Sequence, residues 1–387
     1  MGCFWQFTFA TLTSRRSNVN AYPLRNILFV LLIVALAISA CGPAAAVPTA
    51  TPTAPPATPT QAPPRKLVLM SHDSFNASEE VIAEFEQANN AKVEFLKAGD
   101  AGKALNQAIL SKNNPLADVF FGVDNTFFSR AIDADIFEAY QPKGLENITD
   151  TFKLDPRFRL TPIDWGDVCL NYDKRYFEQK GLQPPTTLED LVKPEYKGLL
   201  VVENPATSSP GLAFLLTTVA HFGPDKYLDF WKALRENDVT ITEGWEDAYY
   251  GQFSGGSGSQ GDKPIVVSYA TSPPAEVYFS EGKLTEPPTA AVIGDDTCFR
   301  QIEFAGILKG TKNRDLAEKF MDFLISTRFQ EDVPLQMFVF PVNREARLPE
   351  VFVKFAQIAP KPAQLSPEEI GANRDKWIEA WTDTMLH

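Results

Sequence analysis

Residues 66–122 read KLVLMSHDSFNASEEVIAEFEQANNAKVEFLKAGDAGKALNQAILSKNNPLADVFFG, and the periodicity of this run sets the fold class. Lys66–Met70 is a short apolar run of strand type. Ser78 stands at a helix start, with Glu79 and Glu80 in the first turn and Val81, Ile82, Phe85 and Ala88 along one face. Val93–Leu96 predicts a second strand, and Ala101–Lys112 a helix with Leu105, Ala108 and Ile109 inward. Asp118–Gly122 predicts a third strand and Asn125–Ile132 a third helix. Strands and helices alternating at this spacing predict an α/β fold with a mostly parallel sheet covered by helices.

The alternation resumes further on. Asp167–Tyr172, Leu199–Glu203, Val239–Thr242, Ile265–Tyr269 and Phe299–Leu308 read as strands. Helices are predicted from Ser209-Pro210, with the serine as N-cap and the proline first in the helix, and over Asp225–Arg235, Trp245–Phe253, Arg314–Ile325 and Pro367–Met385. About 320 residues follow position 65, more than one core comfortably holds, so two α/β lobes are expected. Ligands of such sheets bind beyond the carboxyl ends of strands. The loops after Met70, Gly122, Glu203 and Tyr269 are therefore the candidate site loops.

The start of the chain reads as an export signal. Arg15, Arg16 and Arg25 precede an apolar run, Ile27–Ile38, and then Ser39-Ala40-Cys41-Gly42. The apolar run is short for a membrane span. A cysteine placed directly after Ile-Ser-Ala looks like a lipobox, in which Cys41 is acylated. The alternative is an ordinary signal peptide that ends near a cysteine. Residues 42–64 are almost wholly Pro, Ala and Thr. Such a segment buries no core and favours extended polyproline II, a semi-stiff spacer. Residues 1–40 carry three arginines and no acid, so the remainder has 33 basic and 49 acidic residues, a net charge of −16. That balance argues against nucleic acid and against docking on anionic lipid. Cys169 and Cys298 are left as an even pair in an oxidising compartment, either bridged or as two buried thiols.

Catalytic signatures are missing. No GxSxG, HExxH, Walker or calcium-loop motif occurs. Gly256–Gly261 fits GxGxxG, but a helix precedes it and a strand follows, the reverse of a dinucleotide site; loop 254–262 reads as a flexible, solvated segment. The three histidines, His72, His221 and His387, lie far apart. Tyr249-Tyr250 could suggest iron, but neighbours in a helix diverge by about 100°, which predicts one in the core and one on the surface. No metal or cofactor is expected.

The candidate loops carry binding chemistry instead. His72, Asp73 and Ser74 follow the first strand. Asp124 either meets a cation or caps the next helix. Thr207-Ser208-Ser209 offers hydroxyls and free N–H groups at a helix start, suited to a polar or anionic group. Trp245, after Gly244, is a stacking wall or a core residue. Tyr269 is followed by a polar rim, Thr271-Ser272-Pro273. Aromatic faces with one or two carboxylates suit a flat or cationic heterocycle.

From Lys66 onward the chain resembles the thiamine-binding proteins of bacterial ABC importers, within the iron/polyamine/thiamine group of binding proteins. The matching stretches are Asp73-Ser74-Phe75, Ala117-Asp118-Val119 with Asp124-Asn125, Thr207-Ser208-Ser209-Pro210-Gly211, Gly244-Trp245 with Ala248-Tyr249, and Ser268-Tyr269 with Thr271-Ser272-Pro273. Leu316–Phe320, Phe340-Pro341-Val342, Trp377 and Trp381 follow in order. The resemblance implies a two-lobed, type II Venus-flytrap fold with hinge-crossing strands, divided as 66–165 and 276–340 for the first lobe and 166–275 with the helical end 341–387 for the second. It implies capture of thiamine or its phosphates, delivery to a permease and its ATPase, and no enzymatic activity. It implies a monomer in the cell envelope, held at the membrane only through the Cys41 lipid. His72, Asp73, Ser74, Asp124, Ser208, Trp245, Tyr269 and Phe338 are the expected contacts. The chain departs from the family at His72 and Ala275, where tyrosines stand, at Phe338, where a tryptophan stands, in a deletion near Asn76, and in an insertion at the glycine-rich loop. The same fold binding a polyamine, or less favourably ferric iron, is one rival. A surface hydrolase using Ser208 or Ser268 with His72 is another.

Overall fold

A computed structural model describes residues 62–387. The signal segment, Cys41 and the tether up to residue 61 lie outside the described residues. The first block runs β1 (Arg65–Ser71), α1 (Glu79–Asn89), β2 (Ala91–Lys97), α2 (Ala101–Leu110), β3 (Val119–Asp124), α3 (Phe128–Asp133) and the short β4 (Phe137–Glu138). β1 pairs in parallel with β2 on one side and β3 on the other. Both faces of β1 are covered: Leu67 and Leu69 pack into one apolar cluster and Met70 into another. Ser78 occupies the N-cap position of α1, but its hydroxyl donates to Asp332 Oδ1 at 2.5 Å and makes no capping bond.

The second block contains β5 (Thr161–Asp173), α4 (Lys174–Lys180), β6 (Leu200–Glu203), α5 (Ser209–Phe222), α6 (Tyr227–Glu236), β7 (Thr240–Thr242), β8 (Ile265–Tyr269), α7 (Pro273–Tyr278), β9 (Thr289–Val292) and β10 (Phe299–Leu308). The chain then adds α8 (Arg314–Leu324), α9 (Thr327–Gln330), α10 (Val333–Gln336), β11 (Phe340–Pro341), α11 (Glu350–Phe355) and α12 (Pro367–Met385). The N-cap of α5 is Ser208, one residue earlier than expected, and its Oγ accepts from Gly211 N. α5 is apolar nearly all round and is buried along most of its length, as a helix inside a lobe should be. α12 opens with a reciprocal cap between Ser366 and Glu369 and sets Trp381 edge-on against Trp231 of α6, 5.5 Å between centroids.

Hydrogen-bonded neighbours follow the order β2-β1-β3-β10-β5-β8-β6-β7. β5 and β10 are the long strands that join the two halves. Residues 161–168 of β5 pair antiparallel with β10, and residues 168–172 pair with β8. The sequence shows only the second part of β5 as a strand; Thr161-Pro162 gains its extended form from β10, over a hundred residues away. Cys169 and Cys298 are disulfide-bonded, with Cα atoms 4.3 Å apart, one step beyond the Val168–Phe299 pair. The bridge therefore ties together the two strands that pass between the halves. Arg300 adds a two-pronged ion pair to Asp167 on β5, at 2.8 and 2.9 Å. No helix among the described residues is long and apolar enough to cross a membrane.

Candidate functional site

A crevice of about 650 Å³, counted out to its mouth, opens where the strand ends of the two halves face each other. The first half contributes His72 and Ser74 from the loop after β1, and Asp100 with Ala101 at the start of α2. The second contributes Ser209 and Pro210, Trp245, Tyr249 and Tyr250, and Ser272 with Ala275. Tyr269 ends β8, while Gln301 and Glu303 project from β10 and Met337–Val339 close one end.

One wall is aromatic. Trp245 stacks on Tyr249 with ring centroids 5.0 Å apart and planes inclined by 24°, and Tyr250 meets Trp245 edge-on at 5.5 Å. Trp245 Nε1 donates to Ser268 Oγ at 2.9 Å, and Ser268 Oγ is 2.8 Å from Ser272 Oγ. Tyr269 lies 6.5 Å from Trp245 and donates its hydroxyl to Gln301 Oε1 at 3.0 Å. A buried phenol or indole N–H needs such a partner, so the rings are held by bonds as well as by packing. Residues 247–252 form a π-helical turn, and in it both Tyr249 and Tyr250 reach the crevice. The expectation of one core and one surface tyrosine holds, since Tyr249 is buried and Tyr250 exposed, but both also border the crevice.

The opposite wall is acidic. Glu303 of β10 stands in register with Asp124 of β3 on one side and Asp164 of β5 on the other. Residues in register point to the same face of a sheet, so three buried carboxyls form a row with Glu303 in front. Asp164 Oδ1 and Oδ2 have no donor from other groups. Burial, and then Glu303 beside it, holds the Asp164 carboxyl well above the usual carboxylate range. His72 Nε2 lies 3.2 Å from Glu303 Oε1, an ion-pair distance without the angle of a hydrogen bond. Burial opposes a charge on His72, but Glu303, Asp100 and Asp73 outweigh it and raise its pKa. Gly122, at φ +105°, gives this imidazole its place: a Cβ there would stand 2.6 Å from His72 Cδ2.

Asp100 links the walls. It is the N-cap of α2, where Oδ1 accepts from Ala101 N at 2.6 Å. Across the crevice Oδ2 accepts from Trp245 N at 2.9 Å, and Oδ1 accepts more weakly from Ser209 N at 3.4 Å. Gly102 N and Lys103 N donate to Thr207 O beside it. The halves thus meet through direct hydrogen bonds around one carboxylate.

His72, Ser74, Trp245, Tyr269 and Phe338 are brought together in the crevice. Ser208 is not: its hydroxyl caps α5 and is fully buried, while Ser209 takes the lining position. Asp73 faces an outer groove, where Oδ1 accepts from Gly99 N at 2.9 Å. Asp124 sits behind Glu303, with Oδ1 accepting from Thr126 N, Thr126 Oγ1 and Phe127 N in the turn that leads into α3, whose own N-cap is Phe127. Asp100, Gln301 and Glu303 also line the crevice, outside the residues expected from the sequence. Asp100 carries a sequence signal, an acid directly before a helix, but the others lie inside a strand.

The Asp124 pKa is pushed up to about 7, first by burial and then against its donors by Glu303. A folded-state value above the unfolded one penalises folding where the unfolded chain is ionised. The penalty is absent below about pH 4, grows as pH rises and is complete above about pH 7. Asp124→Asn, which keeps the Oδ1 acceptor, should therefore stabilise the protein at pH 8 by about 2 kcal/mol and have little effect at pH 4. Urea midpoints at the two pH values check this; a loss of stability at pH 8 contradicts it.

The family described as bacterial extracellular solute-binding protein matches residues 114–360. The thiamine-binding periplasmic protein of Salmonella typhimurium is 31% identical over 330 residues, covering 81% of this chain and 92% of that protein. The Escherichia coli protein of the same name is 29% identical with the same coverage. Among solved structures, a periplasmic thiamin binding protein superposes with a TM-score of 0.72 at 26% identity, covering 83% of this chain and 96% of that one. A ferric binding protein from Campylobacter jejuni shares the fold at a TM-score of 0.65 and 20% identity. With its two-lobed α/β fold and interlobe crevice, the chain belongs to the bacterial extracellular solute-binding proteins, the extracytoplasmic capture components of ABC importers, and is not an enzyme.

Proposed function

We propose that the crevice captures thiamine, in its unphosphorylated form above its phosphate esters, for delivery to a membrane permease. The observation that carries this reading is a stacked aromatic wall facing buried carboxylates across the crevice. Thiamine presents a thiazolium cation and a flat aminopyrimidine, which such walls suit through cation–π contact, stacking and charge. A polyamine asks for more carboxylates than rings. Here five aromatic rings line the crevice (Trp245, Tyr249, Tyr250, Tyr269 and Phe338) beside two carboxylates, Asp100 and Glu303. Ferric iron asks for free phenolates, but Tyr249 donates its hydroxyl to Glu276. The preference over phosphate esters follows from the start of α5. Its N–H groups would draw an anion, but Asp100 already sits there, and no Lys or Arg lines the crevice.

The lobe boundaries belong to this proposal. The first lobe takes 66–165 and 276–340 and the second 166–275 and 341–387; the pairing of β9 with the second half of β5 favours a first-lobe return that begins near Phe299. Anchoring through an acylated Cys41, with residues 42–64 as spacer, and a monomeric state complete it. A thermal-shift panel with thiamine, its mono- and diphosphate, spermidine and ferric citrate tests the cargo. Thiamine at a hundred times its Kd should stabilise by about 2.7 kcal/mol, with smaller shifts for the esters at equal concentration. A shift with spermidine and none with thiamine overturns the assignment.

A further inference from the structure

The glycine-rich loop 254–262 has no role in the capture scheme above, and its sequence reads as solvated. It is instead folded against the site. Ser254 N donates to Lys263 O, and Lys263 N to Gln252 O, both at 2.9 Å, closing the base of the loop. Gly255 and Gly256 are buried. A Cβ on Gly256 would stand 2.5 Å from Tyr249 O, so the loop backbone lies directly on the turn that carries the aromatic wall.

One side chain connects the pieces. Glu276 of α7 is buried, 3% exposed. Its Oε1 accepts from Tyr249 Oη at 2.9 Å, and its Oε2 accepts from Ser257 Oγ at 2.6 Å. The two donors reach it from opposite sides: Tyr249 from the aromatic wall and Ser257 from the loop. Ala275, the neighbour of Glu276, lines the crevice on α7. The glycine-rich loop and the aromatic wall therefore meet at one carboxylate.

The geometry points to a positioning role for this loop: Ser257 holds Glu276, Glu276 holds Tyr249, and Tyr249 holds the stacked Trp245, which fixes the slot between the aromatic wall and α7. The physical reason is the cost of an unpaired buried polar group. Without the Ser257 hydroxyl, Glu276 Oε2 loses its 2.6 Å donor. The carboxylate then turns toward water or takes a proton, and the Tyr249 hydroxyl loses its acceptor. The ring is freed to tilt, and the stack with Trp245 loosens. Ser257 and Glu276 are thus positioning residues that act through Tyr249 and are not ligand contacts. This role rests on the thiamine reading for its binding readout.

The test compares Ser257→Ala, Ser257→Thr and, as a control at the exposed loop tip, Gln260→Ala in the full chain. Isothermal titration with thiamine is paired with near-UV circular dichroism, which reports the stacking of Trp245 on Tyr249. Ser257→Ala is expected to weaken thiamine binding by roughly tenfold and to reduce the aromatic dichroism. Ser257→Thr, which restores a hydroxyl, should recover both, and Gln260→Ala should match the wild type. The role is overturned if Ser257→Ala leaves dichroism and affinity unchanged, or if Ser257→Thr fails to rescue them. If the wild type itself binds no thiamine, the cargo assignment has failed; the dichroism of the three variants still decides the role of the loop.

Discussion

Glu303→Gln is expected to weaken thiamine binding by about a hundredfold while the melting temperature holds or rises. Glu303 is the carboxylate of the buried row that faces the crevice. A cation in that slot is shielded from water by Trp245, Tyr269 and Phe338, so its attraction to Glu303 is only weakly screened. Truncating one partner of a buried charge pair commonly costs about 2–5 kcal/mol, and a hundredfold loss corresponds to about 2.7 kcal/mol. Stability moves the other way because the repulsion of Glu303 on two buried acids costs the empty protein more than its pairing with His72 returns. Glu303 raises the carboxyl pKa values of Asp164 and Asp124, and above the unfolded-state values that work is charged against folding. Gln relieves it by removing the charge beside Asp164 and Asp124. Calorimetric titration and a melting curve on the same sample check both halves. Wild-type affinity refutes the ligand geometry, and a fall of several degrees refutes the account of the row.

Removing the bridge, as Cys169→Ala with Cys298→Ala, should cost about 4–5 kcal/mol of stability, the loop-closure entropy of 129 residues. Alanine suits the site because the cystine packs with Ala270 and Ala359 in a small apolar cluster. The loss is large because the bridge spans strands far apart in the chain, so the unfolded ensemble gains much freedom without it. Urea unfolding of oxidised wild type and double variant, with reduced wild type as a third arm, measures it. Coincident midpoints for oxidised wild type and double variant would show that the bridge adds nothing beyond the Arg300–Asp167 fork and the strand pairing.

Much of the site was legible where signals are local. His72, Trp245 and Tyr269 could be found because each lies at the end of a run that reads as a strand or opens one that reads as a helix. Ser208 was displaced by one position: the proline rule places α5 correctly to within a residue, but the start of a helix is a contest between neighbouring hydroxyls that tertiary contacts settle. Here Ser209 N turns to Asp100, a residue of the other half. Tyr249 and Tyr250 divide into core and surface as neighbours on a helix should, but that both rings border the crevice depends on the π-helical turn that carries them.

Apolar periodicity, cap residues and turn residues are short-range preferences, and they alone determined that this chain alternates strand and helix twice over and presents polar and aromatic loops at strand ends. Which acids face the slot was decided only in three dimensions. Glu303 meets Asp124 and Asp164 because β10 inserts between β3 and β5, in a register fixed by long-range hydrogen bonding and burial. Asp100 bridges the halves because α2 and α5 are brought end to end. Pairings across more than a hundred residues leave no period in the sequence, so their chemistry appears only once the sheet has closed around them.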